Sequence, residues 1–398
     1  MSKATLHDVA MQGKRVFIRV DFNVPLTDTQ QVANDTRIQA AVPTISYALE
    51  QGASVILASH LGRPRGQVNA KLSLKPVAAH LQGLLNKPVK LAPDCIGDEV
   101  ERLAQALQPG DIMMLENVRF HPEEEKNDPD FAQALSRLAQ VYVNDAFGAA
   151  HRAHASTAGM ASYMQPAVAG LLMAKELTYL SRVTEHPEPP LAAILGGAKV
   201  SDKIPLISNL LDKVSTLILG GAMAYTLLQT QGYAIGKSLV EPDYAPLAQE
   251  LLDKAADRQV QFVLPCDHVI APAPAADAVT RVVGQEGIPA DCMGLDIGPQ
   301  TIAQFCDIIA AAKTVVWNGP MGMFELEPFR QGTLEVARAV AACPGTTLVG
   351  GGDTIAALAL TDCQDDISHI STGGGATLEF LEGKALPGIA CLTERDDL

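Results

Sequence analysis

Nine short apolar runs, rich in Val, Ile and Leu and barely interrupted by polar residues, recur along the chain. They are RVFIRV (15–20), SVILAS (54–59), DIMMLE (111–116), VYVNDA (141–146), LAAIL (191–195), STLIL (215–219), QFVLP (261–265), TVVWN (314–318) and TTLVG (346–350). A strand with one solvated face alternates polar and apolar residues, whereas an unbroken run needs cover on both faces. The stretches between them, such as TRIQAAVPTISYALEQG and PDFAQALSRLAQ, have helical spacing. This alternation predicts an α/β chain of open, mostly parallel, doubly wound sheets.

At 398 residues the chain is long enough for two such domains. A boundary is visible near its middle. AVAGLLMAKELTYLSRV (167–183) reads as a helix, and TEHPEPP follows with Pro187, Pro189 and Pro190. Prolines there stop the helix and stiffen a connector.

Charge separates the halves. Residues 1–168 carry 16 Lys+Arg against 17 Asp+Glu, a net −1, while residues 169–398 carry 14 against 28, a net −14. A total of −15 argues against nucleic acid or an anionic membrane surface as a partner. The best membrane candidate, Ser215 to Leu228, is too short to span a bilayer. Seven dispersed cysteines without a C-x-x-C spacing suit a reduced, cytoplasmic setting, and MSKATLHDVAMQGKRVFIRV lacks an apolar leader core.

In the first half, cationic and polar groups cluster just beyond the strand runs. RVDFNVP supplies Arg19, Asp21 and Asn23; DTRI supplies Arg37; SHLGRP supplies His60 and Arg63; ENVRF supplies Arg119; AFGAAHRAHAS supplies His151, Arg152 and His154. Ligands of open α/β sheets bind beyond the carboxyl ends of the strands. Arginine's planar fork grips phosphate and carboxylate, so convergence of Arg37, Arg63, Arg119 and Arg152 there implies a small, multiply anionic ligand. The bland reading pairs each arginine with a nearby acid such as Asp35 or Glu116. Of the histidines only His60, inside its turn, is retained as a candidate.

Glycines mark the second half. GGAKVSDKI follows LAAIL and places Lys199 and Lys203 four apart; a helix starting there would put both on one face, unless Asp202 simply pairs with Lys199. LVGGGDT (348–354) and STGGGATLEF (371–380) each run from strand through glycines towards a helix, letting backbone approach a phosphate, with Asp353 able to hold Mg2+. GYAIGKS (232–238) is one residue short of a Walker A loop and follows a helical pattern, so it is rejected. No G-x-G-x-x-G follows a strand, which counts against a dehydrogenase.

RVDFNVP, DTRI, SHLGRP, LENVRF, DAFGAAHRAHAS, GGAKVSDKI, WNGPMGMFE, GGGDT and STGGGA occur in one order over most of the chain. Together they closely resemble the phosphoglycerate kinase family. The resemblance implies a 3-phosphoglycerate domain (1–168), a hinge helix and connector (169–186), a Mg-nucleotide domain (187–378) and a terminal segment (379–398) returning to the first domain. It implies substrate contacts at Asp21, Phe22, Asn23, Arg37, His60, Leu61, Gly62, Arg63, Arg119 and Arg152. On the nucleotide side it implies Lys203, Gly220, Gly221, Asn318, Glu325, Gly351, Gly352, Asp353 and Thr354, with Asp353 linked to Mg2+. Arg37, Lys199, Lys203, Gly352 and Gly374 would form the catalytic set.

The departure from the family pattern is Met321 and Met323, where valine is more usual. The implied reaction is a reversible glycolytic transfer from 1,3-bisphosphoglycerate to ADP, giving 3-phosphoglycerate and ATP, by a monomer that closes about its hinge. Its acceptor is a carboxylate, ionised near neutrality, so no general base is needed. A regulatory nucleotide binder that had lost turnover would lack one of these residues, and none is missing. A purely structural protein would leave the anion-suited strand ends idle.

Overall fold

The computed structural model describes residues 3–284 and 286–398. They form two compact units, one of described residues up to 178 together with 385–398, the other of those from 179 to 384. The border falls inside the helix Leu171–Thr184.

The first unit is built on β1 (Arg15–Arg19), β2 (Ser54–Ala58), β3 (Val89–Leu91), β4 (Ile112–Met114), β5 (Val141–Asn144) and β6 (Ala167–Ala169). Every pairing is parallel, in the order β3-β4-β2-β1-β5-β6. All five residues of β2 are buried, as the unbroken apolar run requires. On one face Val16, Ile18, Val55 and Leu57 pack with Ile38, Ala41 and Ile45 of the helix Thr36–Glu50. Each such aliphatic side chain removed from water contributes roughly 1.5–3 kcal/mol.

The chain leaves β1 for its neighbour β2 but reaches its other neighbour, β5, only after β4, so the strand order reverses at β1. A crevice opens beyond the carboxyl ends at such a reversal. The terminal segment also belongs to this unit: Thr393 N–H donates to Ala167 O (2.9 Å), and Asn144 Nδ2 to Gly388 O (3.0 Å).

The second unit contains β7 (Leu191–Leu195), β8 (Thr216–Leu219), β9 (Gln261–Val263), β10 (His268–Ala271), β11 (Arg281–Val283), β12 (Met293–Ile297), β13 (Thr314–Asn318), β14 (Thr346–Gly350) and β15 (His369–Ile370). Its main sheet is again wholly parallel, in the order β15-β14-β13-β7-β8-β9. Here the reversal lies between β7 and β13. A small antiparallel sheet, β11-β10-β12, is added to it. The nine strand runs therefore all form strands of the two main sheets.

Two local expectations are corrected. Ala167–Ala169 is a strand, not the start of the helix, which begins at Leu171 after Gly170. A side chain at 170 would sit 2.1 Å from Asp145 Oδ1, so glycine punctuates this position. The helix after β7 begins at Ile204 with Lys203 as its cap residue. Lys199 lies in the preceding loop, so the two lysines do not share a helix face. Gly232–Ser238 follows the helix Met223–Thr230, where a Walker A loop would follow a strand.

Candidate active site

At the reversal point of the first sheet, backbone and side chains from three strand ends and the first turn of the helix Thr36–Glu50 interlock. Asn23, after β1, accepts from Gly62 N–H through its Oδ1 (2.8 Å), tying the β1 and β2 loops together. Gly62 O in turn accepts from Arg119 Nη1 (2.9 Å), which draws in the loop after β4. Asn117 braces the same turn by accepting from Leu61 N–H (3.2 Å) and donating to Leu61 O (2.7 Å). Phe22 is buried, and its N–H donates to Ser59 Oγ (2.8 Å). Arg37, on the first turn of Thr36–Glu50, donates to Asp21 Oδ2 (3.1 Å) and Asn23 O (3.2 Å).

The acids of the bland reading are engaged elsewhere. Asp35 pairs with His80 (2.9 Å), and Glu116 accepts from Ser73 Oγ, Leu74 N–H and Asn117 N–H.

His60 reports on the charge gathered here. Burial pushes its pKa well below the ordinary imidazole value, and Arg19, Arg119, Arg152 and Arg37 push it further in the same direction. Four guanidinium groups thus act on one neutral ring. Arg19 Nη2 lies 3.2 Å from His60 Nδ1, and a guanidinium can only donate. Nδ1 is therefore the acceptor and Nε2 carries the proton.

Arg119 is itself nearly buried, and burial pulls it down to about 10, with Glu125 opposing. Its Nε faces Glu125 Oε1 at 3.3 Å without hydrogen-bond geometry, and its buried Nη2 has no partner. A buried cationic donor without an acceptor costs free energy until an anion arrives. Arg152 donates through Nε to His151 Nε2 (3.1 Å), while Arg63 is exposed.

Arg19 was not among the expected contacts. It is fully buried at the end of β1, donating to Ser156 Oγ (2.7 Å), and Ser156 binds the buried Glu124 through Oγ (2.6 Å) and N–H (2.8 Å). A lone charge inside an apolar central strand was the signal for it. His154 is buried and pushed down to about 3, chiefly by burial and then by the surrounding arginines.

The second unit builds its strand ends from glycine. A side chain at Gly196, after β7, would lie 2.0 Å from Pro320 O. One at Gly319, after β13, would lie 2.2 Å from Gly196 O, and Gly319 has φ +105°. Backbone is packed on backbone, and only glycine allows it. The junction is locked by Gly196 N–H to Asn318 O (3.0 Å), Gly221 N–H to Met321 O (2.9 Å) and Gly319 N–H to Thr354 Oγ1 (2.7 Å).

Beside it opens a cavity of about 400 Å3, whose lining includes Gly221, Tyr225, Met321, Met323, Glu325 and Asp353. Gly220 does not line it; a side chain there would meet Met321 Sδ at 2.5 Å, so this glycine makes room for the methionine. Lys203 Nζ donates to Asn318 Oδ1, and Asn318 Nδ2 is buried without a partner. Burial lowers the Lys203 pKa, opposed by Asp202, Glu382 and Asp353. Lys199 is exposed, and its charge helps hold the Glu241 carboxyl below its ordinary pKa. Where a Cβ on Gly352 or Gly374 would stand there is nothing within 4 Å, so both loops are open to approach.

Guanidinium groups gathered at the strand ends of one parallel sheet, and on another a cavity lined by glycines and by Glu325 and Asp353, suit a nucleotide-dependent phosphotransferase. The chain matches the family profile "Phosphoglycerate kinase" over residues 6–384. It is 58% identical to "Phosphoglycerate kinase" of Moorella thermoacetica over 395 residues, covering 99% of this chain and 100% of the relative. It is 54% identical to "Phosphoglycerate kinase, cytosolic" of Triticum aestivum, covering 99% and 98%. Among solved structures it is similar to phosphoglycerate kinase from Coxiella burnetii, with a TM-score of 0.92, 44% identity and 99% of each chain covered. The chain belongs to the phosphoglycerate kinase family and is a kinase.

Proposed function

We propose that the arginine-lined pocket of the first unit binds 3-phosphoglycerate or 1,3-bisphosphoglycerate, and that the cavity of the second binds ADP or ATP. The reaction is the reversible glycolytic transfer in which 1,3-bisphosphoglycerate and ADP give 3-phosphoglycerate and ATP. The observation that carries this reading is the interlocked loop network that sets Arg19 3.2 Å from His60, Arg37 on Asn23 O and Arg119 on Gly62 O, with Arg119 Nη2 lacking an acceptor. Such a group of fixed donors suits a ligand bearing both carboxylate and phosphate.

In the ATP-consuming direction the nucleophile is the substrate carboxylate. Its pKa lies far below 7, so it attacks without a general base. His60, neutral with its proton on Nε2, serves as a hydrogen-bond donor to the substrate. The remaining work is to position the transferring group and stabilise its charge. Arg37 does so from the acceptor side; Lys203, with Lys199 and the N–H groups of Gly352 and Gly374, does so from the donor side. Asn318 Nδ2, buried without a partner, and Glu325 are offered to the nucleotide, as are Gly351 and Thr354 around its phosphates. Because acceptor and donor must meet in line, turnover requires movement about the connection between the units.

Among the described residues, the nucleotide side offers no cluster of three ligating side chains. It offers the exposed carboxylate of Asp353 at the cavity and beside Lys203. One carboxylate plus phosphate oxygens is how Mg2+ is usually held, so Asp353 fits that role. Mg2+ would supply charge neutralisation on the nucleotide phosphates. No helix among the described residues is long and apolar enough to cross a membrane. A monomer acting in the cytoplasm completes the reading, in line with the wheat relative's name.

A coupled assay for ATP formation from 1,3-bisphosphoglycerate and Mg-ADP tests this reading. Asp353→Ala should raise the KM for Mg-nucleotide about five- to tenfold, the loss of roughly 1–1.4 kcal/mol, and leave the KM for phosphoglycerate unchanged. An unaltered Mg2+ dependence in that variant would remove Asp353 from the metal.

A further inference from the structure

A second group of chemically capable side chains lies at the carboxyl end of the first sheet, towards its β3 edge. Asp94 and Cys95 stand in the turn after β3, and His121 follows the helical turn Val118–Phe120 that carries Arg119. One ligating atom from each of Asp94, Cys95 and His121 lies within 4.8 Å of the other two. Among the described residues no other set of three Asp, Glu, His or Cys side chains is arranged this way. The mechanism uses none of them.

The cluster is held in place from several directions. His121 Nε2 faces Asp94 Oδ1 at 2.6 Å, and the imidazole stacks on Phe131 with centroids 5.0 Å apart and planes 30° from parallel. Cys95 is fully buried; its N–H donates to Asp94 Oδ1 (2.7 Å) and its thiol to Glu116 O (3.0 Å). Burial, and then the charges of Asp94, Glu124 and Glu116, raise the Cys95 pKa well above its ordinary value, so the thiolate forms only with a cation at hand. The Asp94 side chain is half exposed, which leaves a path for entry and a position for water.

We propose that Asp94, Cys95 and His121 form a binding site for a divalent cation of the zinc class, separate from the Mg-nucleotide site. One thiolate, one imidazole and one carboxylate form a mixed set that suits Zn2+ or Co2+ and not Mg2+, which prefers oxygen alone. Tetrahedral ligation at ordinary zinc bond lengths sets donor atoms about 3.3–3.6 Å apart. Loading therefore opens the His121–Asp94 hydrogen bond of 2.6 Å by under about 1 Å and brings the sulfur closer by at most about 1.5 Å. The thiol proton leaves to solvent as the sulfur–metal bond forms; no electron is transferred, and water takes the fourth position. The ion would clip the β3 edge to the segment bearing Arg119, so its effect should be on stability.

The test uses the whole chain, dialysed against chelator and free of nucleotide. Co2+ should bind with one equivalent, giving the ultraviolet thiolate-to-cobalt charge-transfer band and the visible bands of a tetrahedral site. Zn2+ should abolish them, and excess Mg2+ should not. Cys95→Ser should lose the charge-transfer band, and His121→Gln, at a part-exposed position, should weaken Co2+ binding at least about tenfold, as loss of a ligand demands. Zn2+ should raise the thermal midpoint of the parent chain but of neither variant, while His121→Gln keeps the parent's turnover with Mg-nucleotide. Absence of the bands, or bands that persist in both variants, would overturn the proposal.

Discussion

Both sheets reverse strand order beside a central strand, yet they furnish the resulting crevice in opposite ways. The first crowds long cations onto it: Arg19, Arg37, Arg119 and Arg152 around a neutral His60. The second strips side chains away, so that Gly196, Gly221 and Gly319 bring backbone onto backbone beside a cavity of about 400 Å3. A small, doubly anionic ligand offers little surface, and fixed charge must hold it. A nucleotide offers a flat base and a chain of phosphates, and space with close backbone approach does more. Substitutions of the arginines in the first crevice should therefore damage chemistry, and those of the packed glycines in the second should damage the fold.

The largest effect tests the second half of that contrast. In Gly319→Ala the new methyl group would stand 2.2 Å from Gly196 O, at a φ of +105° that alanine rarely adopts. Neither backbone can yield cheaply, so a loss of about 3 kcal/mol or more is expected. Trp317 is fully buried next door and donates through Nε1 to Gly319 O (2.8 Å), so its fluorescence reports directly on the junction. A parent-like thermal midpoint and tryptophan spectrum in this variant would break the comparison.

Arg37→Ala should do the reverse. Arg37 is more than a third exposed and its bond to Asp21 is worth little to stability, within about 1 kcal/mol. Its removal should nevertheless cut kcat at least about tenfold, equivalent to ~1.4 kcal/mol of transition-state stabilisation. Turnover equal to the parent's, from a folded variant, would refute its role.

The same contrast explains what could be read from the sequence. Long strands buried on both faces announce themselves as unbroken apolar runs, and the central strands of both sheets were legible for that reason. Val89–Leu91 and His369–Ile370 are edge strands of three and two residues, too short to carry a pattern. Ala167–Ala169 vanished into a helical reading because AVA suits either state until Gly170 is seen to be forced by Asp145. The antiparallel β10–β12 sheet has Arg281 and Val282 exposed, and no apolar run marks it. At the site, Arg19 is legible as a cation at the end of its strand run, but its burial and its bond to Ser156 come from a loop more than a hundred residues away. Gly220 was legible as a needed glycine from its motif, whereas the packing of Met321 against it was not.

The smallest expected effect lies in the pH dependence of stability, where one residue from each unit should pull in opposite directions. His154, in the first unit, is held down to about 3 by burial and by Arg119, against an ordinary 6.5. Between those values the unfolded chain binds the proton more strongly, so this residue's contribution is lost as pH falls from about 6.5 towards 3. Asp296 lines the cavity of the second unit and is pushed up to about 7 by burial, though its carboxyl accepts from Gly332 N–H (2.7 Å) and Ile297 N–H (2.9 Å). Between 3.8 and about 7 the folded chain holds its proton more strongly, so its contribution is lost as pH rises through that window. Thermal midpoints measured from about pH 4 to about pH 7 should show this: relative to the parent, His154→Gln should lose less stability on acidification and Asp296→Asn should lose more. If both variants shift the slope the same way, the charge-filled crevice and the shape-filled one do not differ in how they hold their buried groups.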